Sequence, residues 1–304
     1  PWQIKAKEIN HDKEKKIINY KNAWLQVYDK PILYFPKFFH PDPTVKRQSG
    51  FLIPTFSESG NTGSSFQIPY FKVISHNKDL TVTPRIYTNK NILLQNEYRR
   101  VERNSNHISD VGFFTTSLTD GEQNSKSHLF SNTKFLFTNN FFDENSLEIN
   151  LETVSNDTYL KRYDLESPLI KSTNTMHSFV NFDAYSENTS FSVGFETYEN
   201  LSVVGNDRYE YIYPNISFTQ DLNNSFNLPG DLTFSSNIYQ KQFDTNKYQQ
   251  NFLNELRYAS DQKFKNNGVQ SSFIFSLKNP NNREKIGSDN ESNSRNQLLS
   301  QLMY

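Results

Sequence analysis

Leu80-Thr81-Val82-Thr83-Pro84-Arg85-Ile86 sets an apolar residue at every second position, with Thr or Arg between. A period of two belongs to a strand, whose successive side chains point to opposite faces. Working outward, Leu147, Ile149 and Leu151 alternate with Glu148, Asn150 and Glu152, and Phe191, Val193 and Phe195 with Ser192, Gly194 and Glu196. Phe273, Phe275 and Leu277 repeat the pattern, blurred only by Ile274. His76-Asn77-Lys78-Asp79, Asn89-Lys90-Asn91 and Phe142-Asp143-Glu144-Asn145 separate such runs and have the polarity of hairpin turns. Longer polar stretches cover 120–127, 156–173 and 279–296. The pattern gives about twelve strands between residues 64 and 278, with short turns and longer loops in rough alternation, as in a transmembrane barrel. One short helix is expected, near Gln297–Met303.

Composition narrows the class. Hydrophobic residues make up 35% of the 304, yet aromatics reach 15%, with 26 Phe and 17 Tyr. Disordered chains are poor in aromatics, and Phe and Tyr favour strands. A net charge of -1 and the lack of a basic patch argue against nucleic-acid binding. Cysteine is absent, so no disulfide or thiolate metal site forms within this stretch. No apolar run approaches the roughly 20 residues of a membrane helix, but a membrane β-barrel escapes that test. The six histidines are scattered without metal-ligand spacing, and neither a nucleophile elbow nor a phosphate loop is present. No cofactor and no enzymatic activity are expected. Physics alone leaves a soluble β-sandwich as the competitor of a barrel. Strands of about 10 residues, against a usual 5–6, favour the barrel, as does the polar parity, rich in Ser, Thr, Asn and charge.

The first forty residues read differently. Ile18, Tyr20 and Trp24 share one parity and Ala23, Leu25 and Val27 the other. Apolar groups on both faces predict strands packed in a sandwich or jelly roll. His40-Pro41-Asp42-Pro43 is expected as the linker, since closely spaced prolines sustain neither helix nor central strand.

Particular residues carry the reading further. Trp2-Gln3-Ile4-Lys5-Ala6, His11-Asp12, Asn22-Ala23-Trp24-Leu25 and Pro31-Ile32-Leu33-Tyr34-Phe35-Pro36 resemble the end of the periplasmic jelly roll of the LptD family of lipopolysaccharide-assembly (organic solvent tolerance) proteins. The segment from Pro41-Asp42-Pro43-Thr44 through Val45-Lys46-Arg47-Gln48-Ser49-Gly50 to Phe51-Leu52-Ile53-Pro54 resembles that family's crossing into its barrel. Ile68-Pro69-Tyr70-Phe71, Asp79-Leu80-Thr81-Val82-Thr83-Pro84 and Gln95-Asn96-Glu97-Tyr98-Arg99 are similar to its first three barrel strands. Val154-Ser155-Asn156-Asp157-Thr158-Tyr159-Leu160 resembles a further family segment. The match is dense from Trp2 to about Arg100 and thins to Leu160.

The resemblance implies an all-β architecture in three parts: the last jelly-roll strands at 1–40, a crossing at 41–63, and the N-terminal half or so of an outer-membrane barrel at 64–304. It implies a fragment truncated at both ends, whose barrel lacks its closing strands, and a periplasmic N-terminal part. Implied partners are lipopolysaccharide, an LptE lipoprotein plug within the barrel, an LptA-type periplasmic bridge and the outer membrane itself. Trp24, Leu25, Val27 and Ile32 are the candidate lining of an apolar groove for acyl chains, against the plainer reading of jelly-roll core. Pro69 and Pro84, placed in the first two barrel strands, cannot donate ladder hydrogen bonds and are the candidate lateral gate, against the plainer reading of prolines at bulges. Two competing functions remain at this stage: a passive outer-membrane channel, and a soluble carbohydrate-binding β-protein.

Overall fold

A computed structural model of the chain describes residues 2–45, 47–59, 62–88, 90–115, 125–222, 229–244, 247–264, 268, 270–286, 289–294 and 297–303. Its first strands, β1 (Trp2–Asp12), β2 (Ile17–Val27) and β3 (Lys30–Pro41), form a separate antiparallel sheet in the order β1-β2-β3. Tyr28 and Asp29 join β2 to β3 with φ of 48° and 62°, the paired positive values of a type I′ turn, whose twist suits a hairpin. Ala23 is buried here, while Ile9, Trp24, Ile32, Leu33 and Phe39 stay exposed. The second layer that a sandwich core requires is not among the described residues.

A second, much larger antiparallel sheet holds the remaining strands: β4 (Gly50–Phe51), β5 (Thr55–Ser59), β6 (Gly63–Gln67), β7 (Tyr70–Ser75), β8 (Lys78–Tyr87), β9 (Ile92–Val101), β10 (Ser105–Thr115), β11 (Ser125–Phe137), β12 (Glu144–Val154), β13 (Thr175–Ser186), β14 (Thr189–Asn200), β15 (Tyr209–Asp221), β16 (Asp231–Phe243), β17 (Lys247–Ala259), β18 (Lys263–Phe264), β19 (Gln270–Ile286), β20 (Asp289–Ser294) and β21 (Gln297–Met303). Several of these are pieces of one strand. Both β6 and β7 pair with β8 in a single register, Ser65↔Tyr87 and Tyr70↔Val82, so they form one strand interrupted at Ile68-Pro69. β17 and β18 likewise share β19 as partner. Counted this way, the sheet runs through twelve successive strands from β6 to β19.

β20 and β21 pair with β19 through Asn281↔Ser294 and Lys278↔Gln297, the far arm of one hairpin. This corrects the helix expected at Gln297–Met303. The segment's local pattern yields to the unpaired edge of β19, whose N–H and C=O groups need a partner. Among the described residues no residue-by-residue ladder joins β20 and β21 back to β4 and β5.

Register explains why the strands assemble this way. Ile216 lies opposite Val193 on one side and Ile238 on the other, and Ile238 lies opposite Phe252. Leu147 faces both Phe135 and Phe182, and Leu256 faces both Phe234 and Leu277. These cross-strand pairs make one apolar band around the outer face. The chain leaves that band uncovered: Phe113, Phe195 and Phe275 are 57%, 51% and 40% exposed. Polar residues alternate on the inner face, where Gln95, Glu97, Asp110, Asn132, Glu148, Asn150 and Glu152 belong to adjoining strands. An uncovered apolar band outside and a polar face inside is the membrane-barrel arrangement, the reverse of a globular sheet.

Candidate functional site

The sheet β1–β3 does not gather the four candidate groove residues on one surface. Trp24 and Leu25 are neighbours in one strand, so their side chains leave opposite faces. Trp24 packs its ring 4.8 Å from Tyr34. Leu25 lies opposite Ile4 and Leu33, which makes the aliphatic patch of its own face. Ile32 sits at a register shift between the pairs Leu25↔Leu33 and Gln26↔Pro31, and is exposed. Val27 pairs along the backbone with Trp2 and Lys30.

The junction between the sheets is built from the Pro-rich segment. Asp42 accepts hydrogen bonds from the Thr44 amide at 2.8 Å and the Thr44 hydroxyl at 2.7 Å, and lies 2.6 Å from His11 Nε2. These bonds from Thr44, and then His11, hold the Asp42 carboxyl below its ordinary pKa. Arg47 donates to the His76 carbonyl at 2.8 Å and pairs with Asp79, which also accepts from Arg99 Nε at 2.7 Å. The Val73 amide donates to Ser49 Oγ at 2.8 Å. The crossing is thus fixed to the end of the wall where the short turn His76-Asn77 lies.

The wall also begins earlier than the sequence suggested. β4 and β5, within the 41–63 stretch expected as a crossing, pair with β7 and β6 through Gly50↔Phe71 and Thr55↔Gln67. Pro69 and Pro84 therefore stand in the second and third strands of the wall, not the first and second. Short, proline-broken pieces carry too little alternation to be read as a strand. The seam strand holds a proline of its own, Pro54, in the gap between β4 and β5. Pro54, Pro69 and Pro84 recur every fifteen residues, and the registers put them on neighbouring strands. The Leu52 amide donates to the Pro69 carbonyl at 2.8 Å, and the Ile68 amide to the Pro84 carbonyl at 3.3 Å. The prolines accept but do not donate, so the first three strands lose ladder bonds along one diagonal. That fifteen-residue spacing was the available signal for Pro54.

The inner face carries a feature that reading by polarity missed. The loop after β12 folds back against the inner wall and contains the short helix α1 (Tyr159–Arg162). Tyr159 and Leu160 are fully buried, with Tyr163 and Leu165, against Tyr87, Leu93, Phe114 and Phe130 of β8–β11. Arg85 donates to the Tyr163 carbonyl and Gln95 to the Glu166 carbonyl, each at 3.0 Å, so backbone groups of the loop are satisfied by the wall. His128 lies between Tyr159 Oη and Asp110 Oδ1, 3.3 Å from each. Burial pushes the Tyr159 hydroxyl above its ordinary pKa and keeps it neutral. Aromatic residues at single inner-face positions looked polar by context in the sequence, because their partners sit in a distant loop.

Comparison with known proteins now bears on these elements. Over 247 residues the chain is 28% identical to the LPS-assembly protein LptD of Pseudoalteromonas translucida, covering 78% of this chain and 31% of that protein. Over 173 residues it is 29% identical to the LPS-assembly protein LptD of Legionella pneumophila strain Paris, covering 53% and 20%. Over 101 residues the identity to the LptD of Chromobacterium violaceum reaches 37%, covering 33% and 13%. Along these stretches the chain is similar to LptD proteins. It spans 31% or less of the length of these LptD relatives, and the likeness points to an outer-membrane β-barrel protein. No family model matches the chain. Among solved structures it is similar to the P pilus usher (PapC) translocation pore, with TM-score 0.43 and 11% identity over 93% of this chain and 64% of that one; the barrel assignment rests on the registers above and not on that likeness.

Proposed function

We propose that this chain forms part of a route along which lipopolysaccharide passes from the periplasm into the outer leaflet of the outer membrane. The observation that carries the reading is the junction: a strand sheet with aliphatic surface is fixed by Arg47 and Ser49 to the proline-broken first strands of the wall. Acyl chains travel along one face of that sheet, either the aliphatic one at Leu25, Leu33 and Ile4 or the one that carries Trp24, with Val27 and Ile32 as further groove positions. The saccharide head follows the polar inner face. Release is lateral, among the first three strands of the wall, where Pro69 and Pro84, joined by Pro54, leave donors missing. Each net ladder bond contributes about 0.5–1.5 kcal/mol, so a few absent bonds make these strands easier to part than the rest of the wall. The N-terminal sheet then lies in the periplasm, an LptA-type bridge feeds it, and an LptE lipoprotein fills the lumen of the complete barrel.

A passive channel accounts for the wall but assigns nothing to the attached sheet. In-cell photo-crosslinking of the full-length protein, with a photoreactive residue at Trp24, Leu25, Ile68 or Tyr70, separates the two. The transport reading expects lipopolysaccharide adducts at one of Trp24 and Leu25 but not both, and beside Pro69. A correctly inserted protein without adducts at all four positions contradicts it.

A further inference from the structure

We infer that the cavity of about 420 Å³ between the inner wall and residues 168–172 of the folded-back loop is a saccharide-binding subsite. The inference rests on the transport reading for its biological ligand, but not for its chemistry. One side of the cavity is an aromatic platform. His177 and Tyr198 stack at 4.2 Å with their rings 6° from parallel, and Phe179 lies 5.0 Å from His177. Glu196 Oε2 holds that platform, accepting from Tyr198 Oη at 2.8 Å and lying 2.9 Å from His177 Nε2. The other side is a row of planar carboxylates and amides. Asn132 donates to Glu148 Oε1 at 2.8 Å, Asn150 to Glu152 Oε1 at 3.1 Å, and the His177 amide to Glu152 Oε2 at 2.9 Å. The loop residues Pro168 and Leu169 complete the lining, and Leu169 is itself packed on the buried aromatic cluster.

Each part selects against other ligands. An acyl chain would strip water from the Glu148–Glu152 row without replacing its hydrogen bonds, which is costly. A phosphate would meet Glu148 and Glu152, with Lys171 as the cationic side chain in the lining. A pyranose ring offers what the cavity lacks. Its C–H face stacks on an aromatic surface, and its hydroxyls donate to carboxylates and exchange hydrogen bonds with amides. The volume falls within the 300–1,000 Å³ typical of small-ligand sites, enough for one or two sugar rings.

The test is saturation-transfer NMR on the full-length protein in detergent. The probe is a deacylated, dephosphorylated core oligosaccharide from lipopolysaccharide, compared with the same oligosaccharide carrying its phosphates. The expected result is saturation of ring protons, stronger for the dephosphorylated probe. Tyr198→Ala should weaken its binding about tenfold, as loss of a stacking anchor does, while Tyr198→Phe, which keeps the ring, should bind within about twofold. Heat-modifiable gel migration confirms that each variant is folded. Unchanged binding by a folded Tyr198→Ala, or preference for the phosphorylated probe, overturns the subsite. Saccharide binding with no adduct at the four crosslinking positions would instead sink the transport reading and leave the subsite standing.

Discussion

At the scale of single residues, the inner wall is governed by space and hydrogen bonding around His128. A Cβ built on Gly112 would stand 2.2 Å from His128 Cε1, so only glycine lets the imidazole lie between Asp110 and Tyr159. Gly112→Ala must push the ring away, breaking two buried contacts, and overpacking of this kind costs about 1–3 kcal/mol. The expected outcome is a protein that still inserts, with the loop around Tyr159 released from the wall. Limited proteolysis of that loop in the folded, heat-modifiable protein checks it, and a loop as resistant as in the wild type would count against the packing described. Sequence alone pointed to neither Gly112 nor His128. Their roles depend on a contact across strands β10 and β11 and on a loop more than twenty-five residues away.

At the scale of elements, the Asp42 turn ties β1 to the crossing, and its stability depends on pH. A carboxylate whose pKa is lowered by folding contributes stability above its unfolded pKa of about 4, and that contribution disappears as pH falls through the lower, folded value. The protection of the Thr44 amide against hydrogen exchange, corrected for the intrinsic rate, should therefore be constant near neutrality and drop on strong acidification. Asp42→Asn, which has no ionisable carboxyl, should remove the acid-dependent step. The elements themselves were legible to very different degrees. Long strands such as β12 and β14 alternate strictly and were plain from sequence, whereas the second half of β19 and all of β20 fell in the 279–296 stretch read only as polar. β4 and β5 were not plain either, because Pro54 splits them into pieces too short to show a period, and Gln297–Met303 was read as helix because its partner β19 is invisible to a local pattern. The 156–173 loop was read as simply polar, whereas Tyr159, Leu160, Tyr163 and Leu165 bury themselves in the wall.

At the scale of the whole molecule, the account rests on one geometric claim: the apolar parity faces lipid and the polar parity faces a watery interior. The sequence supplied the alternation and the family resemblance supplied the barrel; registers joined the two by aligning Val193 with Ile216 and Asp183 with Ser192. The groove and the gate were harder to read. A groove needs residues of one face, and Trp24 and Leu25 lie on two; a gate needs the true first strand, and that strand was hidden in the crossing. The most direct measurement is spin-label accessibility in the full-length protein inserted in a membrane, with single cysteines at Phe191, Val193 and Phe195 and at Ser190, Ser192 and Asp183. Oxygen, which concentrates in lipid, should relax the first set, and a water-soluble nickel chelate the second, giving two profiles of period two in antiphase. Nickel access at both sets, or at Phe191, Val193 and Phe195 alone, would contradict the membrane wall and everything built on it.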